Sequence, residues 1–387
     1  MKREIKNLKK AALRIIKAAR KKEPVVIFGD SDMDGISAAI ILKESVKIIK
    51  GKVAEVYFPD REKEGYGLSE PALNYLKKYA PCLFVTLDCG IGNFREMKIA
   101  AKMGFQTIIV DHHEILDKLP LASIIVDPKQ KGDKYPFKYF STAGLALRLS
   151  EEILGKNITR EIRNNFLELA ALATIADMMP KGMDNDAIIS DGLNSLKTSW
   201  RPGIQALLFL KQFEGLSLMD KVYKMNSLLN VRDVENRLPA AYRLLTSKEK
   251  KEAKELAEKL FEKGIERKEK VREMLLEVEG RVDNKKSEPL IFEGKEGWEV
   301  ALLGIVASLI VQRYGKPAFI YKKGEKDNQG GVRAQEGVNL VQAMKGYAKN
   351  LITYGGHPQA AGFRVKNEKL EGFRRHLIDY FEKISPV

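Results

Sequence analysis

The sequence predicts an α/β fold in which a parallel sheet is joined by a long helix to a smaller α/β unit. Apolar, β-branched runs alternate with helical patterns from residue 25 to about residue 125, as in a parallel sheet covered on both faces. Residues 247–279 are rich in Lys and Glu and repeat apolar residues at helical spacing, which indicates one long helix. Strand and helix patterns alternate again after residue 289. We therefore predict a sheet domain over residues 1–195, a helical connector over 196–284 and a second domain over 285–387.

The elements of the first domain follow in a regular order. An amphipathic helix is predicted over residues 2–20, where apolar side chains recur at helical spacing. Strands are predicted at four short apolar runs, over residues 25–29, 83–87, 107–110 and 123–126. A helix is predicted over residues 36–49, and further helical patterns run from residue 143 to about residue 211. Residues 283–289 are predicted to form a polar linker before the second domain.

Acidic residues and two histidines follow the strands and one helix of the predicted sheet domain. These residues are Asp30, Asp32, Asp34, Asp88, Asp111, His112, His113 and Asp177. Because open α/β sheets bind their ligands at the carboxyl ends of the strands, we expect these side chains to lie close together. Hard divalent cations take oxygen ligands and would offset the repulsion between the carboxylates. A solvated turn that caps the following helix is the alternative for the first three, and Asp127 is interpreted as a turn residue.

The charge of the chain favours a polyanionic partner. Lys and Arg number 67 against 52 Asp and Glu, a formal net charge of +15. Excess positive charge is typical of proteins that bind phosphate backbones, although a solvated Lys/Glu-rich surface is the alternative. No apolar run approaches the roughly 18 residues that span a bilayer, and the charged N-terminus is not a secretory signal. With two cysteines, which we expect to be buried thiols, the sequence predicts a cytoplasmic protein.

The acidic segments resemble those of the DHH phosphoesterases, a family named after the triplet found here as Asp111, His112 and His113. The segment DSDMDG at residues 30–35 is similar to the first motif of the family, Asp88 to its second and Asp177 to its fourth. Near the C-terminus, GGHPQAAGF at residues 355–363 resembles the glycine-rich motif of the DHH-associated domain. Four segments resemble the RecJ-type single-strand nucleases of this family, namely PDREKEGYGL at 59–68, STAG at 141–144, RPG at 201–203 and GIVAS at 304–308.

The resemblance implies a DHH catalytic domain that holds two divalent cations, with Mn²⁺ favoured over Mg²⁺ because the ligands include one imidazole nitrogen. Asp88 would bridge the two cations. Asp30 and Asp32 would bind one of them, and the other would be bound by Asp34, His112 and Asp177. In pyrophosphatase relatives a metal-binding His stands where this chain has Phe28, so the ligands of the first cation are the least determined.

The resemblance also implies roles for residues that do not bind metal. His113 would contact the scissile phosphate or donate a proton, and Asp111 would orient it. In the DHH-associated domain, Arg333 would hold a phosphate, although the family's two serines beside it are Gly331 and Ala334 here. The remaining candidates for substrate binding are Arg61, Tyr66, Arg232, Gly355, Gly356 and His357. A tyrosine packed in a turn is the alternative for Tyr66, and a glycine turn between strands is the alternative for the two glycines.

The function implied is a metal-dependent exonuclease that releases nucleoside 5′-monophosphates from single-stranded DNA or RNA, in DNA repair, replication or RNA end processing. RecJ also carries an oligonucleotide-binding domain, for which this chain has no room, so either long substrates would be bound more weakly or a replication or repair partner would supply the grip. Three alternatives stay open: a phosphatase of oligoribonucleotides or nucleotide bisphosphates, a replication scaffold without catalysis, and a pyrophosphatase. The sequence leaves the polarity of digestion, the sugar preference and the oligomeric state open.

Overall fold

The computed structural model describes residues 4–115, 118–282 and 288–384, and the chain divides into two compact units. The first unit is Met1–Gly264 and the second is Ile265–Val387. A predicted segment, the polar linker at 283–289, falls mostly outside the described residues. The domain boundaries drawn from the sequence stay a prediction.

The first unit is built on a five-stranded sheet in which all strands are parallel. Its strands are β1 Pro24–Gly29, β2 Lys52–Tyr57, β3 Cys82–Leu87, β4 Phe105–Val110 and β5 Ile124–Val126. They are arranged in the order β2-β1-β3-β4-β5. The chain therefore changes direction across the sheet between β1 and β3, and a crevice forms at the carboxyl ends of strands at such a switch point. The residues that follow these two strands are Asp30 and Asp88.

Helices cover both faces of this sheet. The helices over residues 8–246 are α1 Leu8–Arg20, α2 Met33–Ile48, α3 Glu70–Leu76, α4 Phe94–Lys102, α5 Thr142–Leu154, α6 Arg160–Ala176, α7 Met183–Leu196, α8 Pro202–Leu208, α9 Leu218–Leu229 and α10 Ala240–Thr246. Of these, the helices from α6 onward pack mainly on other helices. Val25 and Ile27 of β1 belong to one apolar core, and Val26 and Phe28 belong to the core on the opposite face. Alternate residues of a strand point to opposite faces, so a strand that is apolar throughout is buried on both. The fold class predicted from the sequence is confirmed.

The first helix begins later than the sequence predicts. The prediction placed it over residues 2–20, but α1 begins at Leu8. Asn7 has a left-handed backbone with φ of 64°, and its side-chain amide donates a hydrogen bond of 2.8 Å to the carbonyl of Ile125. The amide of Lys6 donates to the Asp133 carboxylate at 2.7 Å. Asn7 thus pairs with β5 and Lys6 with the segment that follows it, and the helical pattern of residues 4–7 is therefore not realised.

A long helix, α11 Lys250–Val282, begins in the first unit and ends in the second. The sequence placed this helix over residues 247–279, three residues earlier at each end. Its first half contributes Ala253, Ala257 and Leu260 to a core of the first unit. Its second half contributes Met274 and Val278 to a core of the second unit. The apolar face of α11 that the sequence predicted is thus buried in the first unit over its first half and in the second unit over its second half.

The second unit contains a mixed sheet. Its elements are β8 Ile291–Lys295, α12 Val300–Tyr314, β9 Ala318–Lys322, β10 Asp327–Arg333, α13 Leu340–Lys345, β11 Leu351–His357, β12 Ala360–Lys366 and α14 Leu370–Ile384. The strand order is β11-β12-β10-β9-β8, with β8 and β9 parallel and the other neighbours antiparallel. A short hairpin in the first unit, β6 Val234–Glu235 and β7 Leu238–Pro239, completes the described strands.

Three smaller expectations can be compared with the structure. Cys82 and Cys89 are buried free thiols, as predicted. Asp127 forms a turn in which its side chain accepts a hydrogen bond of 2.8 Å from the amide of Lys129, which confirms it as a turn residue. None of the described helices combines the length and apolar character that crossing a membrane requires.

Candidate metal centre

Two aspartates begin α2 directly after β1, and helix N-termini hold both. Asp32 caps α2, since its Oδ1 accepts hydrogen bonds of 3.1 Å from the amides of Asp34 and Gly35. Asp34 lies in the first turn, where its carboxylate accepts hydrogen bonds from the amides of Thr142 at 2.6 Å and Ala143 at 2.8 Å. Those amides belong to the first residues of α5. The N-terminal dipoles of α2 and α5 therefore both favour negative charge at this point.

Asp30 is fully buried at the end of β1 and is held by Arg61. Its Oδ1 accepts hydrogen bonds from the amide of Ser31 at 2.8 Å and from Nε of Arg61 at 3.1 Å, and its Oδ2 pairs with a terminal nitrogen of Arg61. The same nitrogen lies 2.8 Å from Oδ2 of Asp32. Arg61 follows β2, the neighbour of β1 in the sheet. Arg61, which was predicted to bind substrate, therefore contacts both Asp30 and Asp32.

Asp88 lies at the switch point of the sheet, immediately after β3. It is 2% exposed, and its backbone is left-handed with φ of 63°. Its Oδ1 accepts a hydrogen bond of 3.2 Å from the hydroxyl of Thr142. Aspartate tolerates the left-handed conformation better than most residues do. This turn directs the carboxylate toward the N-terminus of α5.

His112 is buried and presents Nε2 to three carboxylates. Its Nδ1 donates a hydrogen bond of 2.8 Å to the carbonyl of Phe140, which assigns the proton of the neutral ring to Nδ1. Its Nε2 lies 3.3 Å from Asp88 Oδ1, 3.5 Å from Asp177 Oδ2 and 3.7 Å from Asp34 Oδ2. Burial and the charge of His113 lower the pKa of His112 well below its ordinary value. The ring is therefore neutral, with an Nε2 lone pair that a metal ion can take.

Two of the groups of side chains whose potential ligand atoms lie within 4.8 Å of one another contain the residues assigned to metal. They are Asp30, Asp32 and Asp88 in one group and Asp34, His112 and Asp177 in the other. Asp88 belongs to the first group, and its Oδ1 is 3.3 Å from His112 of the second. The structure thus brings together all six residues that the sequence assigned to metal, with Asp88 between the two groups.

The electrostatics of these carboxylates favour a bound cation. Burial, together with neighbouring carboxylates, raises the pKa of Asp34 to about 7 and raises those of Asp88 and Asp177 well above the ordinary value. Burial likewise raises the pKa of Asp30, although Arg61 opposes this effect. A bound divalent cation stabilises the ionised form of carboxylates whose pKa is raised in this way. A set of oxygen ligands with one imidazole suits Mn²⁺ and also accepts Mg²⁺. The donor set therefore fits the implied metals.

Asp32 differs from the other carboxylates. Burial pushes the pKa of Asp32 upward, but the guanidinium of Arg61 and the amide of Gly35 outweigh burial and leave this pKa below its ordinary value. Asp32 is therefore ionised at neutral pH, and it offers a charged oxygen for the first cation to reach the centre.

His113 lies in a hydrogen-bonded chain between Asp111 and Tyr66. Its Nδ1 is 2.7 Å from Asp111 Oδ1, and the hydroxyl of Tyr66 lies 3.1 Å from its Nε2. Burial disfavours the charged ring, but the contact with Asp111 outweighs burial and raises the pKa of His113 to about 9. The hydroxyl of Tyr66 donates to the carbonyl of Asp88 at 3.2 Å, so its oxygen accepts from the charged ring. Tyr66 was predicted either to stack on a base or to pack in a turn, and neither prediction included these contacts with His113 and Asp88.

The remaining candidates for substrate binding lie elsewhere. Arg232 pairs with Asp60, the residue before Arg61, at 2.9 and 3.0 Å. In the second unit, Arg333 ends β10 and donates a hydrogen bond of 2.9 Å to the carbonyl of Val332. Gly355, Gly356 and His357 end β11, and the turn to β12 is formed by residues 358–359. The alternative that the two glycines form the turn is therefore wrong.

Sequence reasoning missed the residues that hold the ligands in place. The amides of Thr142 and Ala143 fix Asp34, the carbonyl of Phe140 fixes His112, and the amide of Ile91 donates to Asp111 at 3.0 Å. One signal was available, because Ser141 caps α5 through a hydrogen bond of 3.1 Å to the amide of Gly144, a pattern visible in the STAG segment. Nothing in the sequence indicated that this helix begins at the metal centre.

Comparison with known families matches both units. The model of the DHH family, N-terminal domain, matches residues 24–174. The model of the DHHA1 domain matches residues 287–383. The two matched segments contain every residue proposed above for metal or substrate binding except Asp177 and Arg232.

Individual relatives are similar along almost the whole chain. The single-stranded-DNA-specific exonuclease RecJ of Bacillus subtilis strain 168 is 35% identical over 380 residues, which cover 97% of this chain and 48% of that protein. The RecJ of Thermus thermophilus is 28% identical, covering 97% of this chain and 54% of that protein. The chain thus spans about half the length of these curated relatives. A crystal structure of exonuclease RecJ bound to manganese superimposes with a TM-score of 0.79 at 26% identity, covering 99% of this chain and 96% of that chain.

Proposed function

The chain belongs to the DHH family, and on this basis we propose that it is a metal-dependent exonuclease that hydrolyses the phosphodiesters of single-stranded nucleic acid. The observation that carries the proposal is the arrangement of Asp88 between two groups of potential ligands, with His112 Nε2 3.3 Å away. A phosphodiesterase at neutral pH needs both an activated water and shielding of the phosphate charge, and a pair of divalent cations supplies both.

The chain's own residues would divide the work as follows. Asp30, Asp32 and Asp88 would hold one cation, and Asp88, Asp34, His112 and Asp177 would hold the other. We favour Mn²⁺ because the donors include an imidazole nitrogen, and a RecJ relative was crystallised with manganese. The amides of Thr142 and Ala143 would keep Asp34 oriented before a cation arrives, which limits the reorganisation that binding requires.

His113 is the candidate proton donor. With a pKa of about 9 it keeps its proton at neutral pH, and Asp111 holds the ring through a contact of 2.7 Å at Nδ1. A charged imidazole beside the reacting phosphate would stabilise negative charge or protonate the leaving oxygen. Asp111 would act by orienting this ring, and its three other hydrogen bonds come from the amides of Ile91, His112 and His113.

The substrate is proposed from charge and from relatives. The net charge of +15 favours a polyanion although the catalytic residues are acidic, and the similar RecJ proteins are named for single-stranded DNA. Arg61 and Tyr66 beside the carboxylates would contact the reacting nucleotide. Further contacts would come from Arg232, Arg333, Gly355, Gly356 and His357. RNA is a second candidate substrate, and the activity would serve DNA repair, replication or RNA end processing in the cytoplasm, together with repair or replication proteins.

The decisive experiment is a time course with Mn²⁺ on single-stranded DNA and RNA labelled at either end. We expect mononucleotides to appear from one labelled end, which would also fix the polarity and the sugar preference. Rapid cleavage of dinucleotides with longer strands left intact would assign the chain to the small-substrate phosphatases. A metal-loaded protein that cleaves neither would overturn the proposal in favour of a scaffold.

A further inference from the structure

The first unit contains a cavity of about 880 Å³ that is separate from the carboxylate cluster. Its walls come from the segment after β2, the helix α3, the hairpin β6–β7 and the helix α11. Asp60, Lys63 and Glu64 line it, whereas Arg61 of the same segment pairs with Asp30 and Asp32. One short segment of chain therefore contributes side chains to the metal centre and to this cavity.

Basic side chains are in excess around the cavity. Five of them line it against four acidic ones; the basic residues are Lys63, Arg232, Arg237, Lys259 and Lys263. The buried carboxylate of Asp233 alone is shared by three cations, with Arg243 and Lys263 each at 2.7 Å and Lys259 at 3.1 Å. Arg243 also pairs with Glu235 at 2.6 Å, so these three cations face two carboxylates and one positive charge remains at this wall for an anionic ligand.

Arg237 occupies a backbone position that disfavours its side chain. Asn236 and Arg237 form the two-residue loop between β6 and β7, and both are left-handed, with φ of 52° and 65°. Such hairpin loops prefer Asn at the first position and Gly at the second. Asn236 follows this preference and Arg237 does not. An arginine in this left-handed conformation carries a backbone cost that glycine would not.

The Arg237 guanidinium has no acidic partner among the residues that the structure describes. Its central carbon lies 3.9 Å from the ring centre of Tyr75, an arrangement that occupies the face of the guanidinium. No described carboxylate lies within ion-pair distance of it. The N–H donors of a guanidinium point outward in its plane, so stacking leaves them available for a phosphate. By contrast, Arg232 of the same wall is paired with the carboxylate of Asp60.

We propose that this cavity is a second phosphate-binding subsite, in which Arg237 with Lys259 and Lys263 holds a backbone phosphate of the strand whose end lies at the metal centre. The inference rests on the proposed function, since it takes the substrate to be a single strand. A nucleic acid is favoured over an acidic protein segment because the 60–64 segment contributes to both sites, so one continuous ligand would contact both. Dinucleotides would be too short to need this subsite.

The test compares the wild type with Arg237→Gly. Glycine suits the left-handed loop, so this variant should melt at the same temperature as the wild type or higher, and a loss of binding is then not a loss of fold. Lys50→Gly is the matched control, because Lys50 is an exposed lysine with φ of 59° that precedes β2, whereas the cavity adjoins the segment after that strand. Binding of fluorescein-labelled d(T)12 is measured by anisotropy in EDTA over a series of salt concentrations.

We expect Arg237→Gly to weaken d(T)12 binding about fivefold and to lower the salt slope by about 0.7, the value for one lost phosphate contact on a single strand. Lys50→Gly should change neither, and with Mn²⁺ the hydrolysis of a dinucleotide should be the same in all three proteins. Unchanged d(T)12 affinity in Arg237→Gly would overturn the subsite. The subsite would also be overturned if Arg237→Gly lowered the hydrolysis of a dinucleotide as much as it lowers d(T)12 binding. A larger loss of binding to oligoglutamate than to d(T)12 would overturn it too. Binding is measured without metal, whereas the exonuclease proposal fails only if no cleavage occurs with Mn²⁺. A failure of the subsite and a failure of the exonuclease proposal are therefore distinguishable.

Discussion

At the scale of single residues, Asp88 is the side chain on which both ligand groups depend. Its left-handed backbone, the hydroxyl of Thr142 and the neighbouring His112 all fix the position of its carboxylate. Replacement by alanine would add backbone strain at this position. Asparagine tolerates φ of 63° and keeps the size of the side chain, so Asp88→Asn removes the charge alone.

We predict that Asp88→Asn lowers hydrolysis of single-stranded DNA by about 100-fold or more, because it removes the proposed ligand of both cations. The pKa of Asp88 is raised well above its ordinary value by burial, so the folded protein resists its ionisation. At any pH above the ordinary pKa of a carboxyl, this resistance to ionisation destabilises the folded wild type. The variant lacks the carboxyl and should therefore melt at an equal or higher temperature than the wild type at pH 8 in EDTA. Retained activity would contradict the two-cation arrangement, and a lower melting temperature would contradict the electrostatic argument.

The pKa of Asp34 makes cation binding dependent on pH. Burial raises this pKa to about 7, so below pH 7 the carboxyl holds a proton that a cation must displace. The affinity for Mn²⁺ should therefore rise about tenfold per pH unit below pH 6 for this one proton. Calorimetry at pH 5.5 and 6.5, in buffers of different ionisation enthalpy, measures the affinity and the protons released. Binding without proton release would show that Asp34 is ionised before the cation arrives.

At the scale of elements, helices position the charged groups of each unit. The N-terminus of α5 holds Asp34 through two amides in the first unit. In the second unit, α12 leaves room for Arg333 because residue 304 is glycine. A Cβ added at Gly304 would lie 2.7 Å from a terminal nitrogen of Arg333 and 3.1 Å from its Cζ. The GIVAS segment thus has a physical role, which is to let the guanidinium lie against the helix.

We predict that Gly304→Ala displaces the Arg333 guanidinium and raises the KM for single-stranded DNA about fivefold, if Arg333 holds a phosphate. The fold should survive, since the displaced atoms end a flexible side chain. Gly280→Ala is the matched control: nothing lies within 4 Å of its added Cβ, and alanine within α11 should stabilise the protein by up to about 1 kcal/mol without changing KM. On an Arg333→Ala background, Gly304→Ala should have no further effect on KM. An additive effect there would assign the glycine a separate role.

At the scale of the whole molecule, the charge balance decides how strongly a strand is held. The net charge is +15 although the carboxylate cluster is acidic, so basic side chains outweigh it over the remaining surface. Many of these are paired locally, as Arg232 is with Asp60 and Arg243 with Asp233. A solvated, ion-rich surface would show the same local pairing. The salt dependence of DNA binding distinguishes such a surface from one that binds phosphates.

We predict that affinity for single-stranded DNA in EDTA falls about 100-fold between 50 and 200 mM salt, as expected for about five contacted phosphates. Anisotropy titrations with d(T)12 give this slope directly. An affinity that is insensitive to salt would show that the positive excess is not used for phosphate binding.

The sequence by itself determined the parts of this protein that depend on neighbours along the chain. Apolar runs fixed four of the five strands of the first sheet, whereas β2 Lys52–Tyr57 was not predicted. The acid after each of these four strands fixed which side chains lie at the edge of the sheet. Spacing and composition gave the long helix to within three residues at each end. The ligand types followed from the same local order, because a parallel sheet brings the carboxyl ends of its strands to one edge.

Only the tertiary structure decided what holds those side chains in place. Asp34 and the amide of Thr142 are 108 residues apart, and Asp30 and Arg61 are 31 apart, distances at which spacing along the chain carries no signal. The left-handed turn at Asp88 and the stacking of Arg237 on Tyr75 likewise depend on packing across the unit. Periodicity reports which face of an element is buried, but it does not report which other element covers that face. The pKa values of the cluster arise from that covering, since burial is their largest cause.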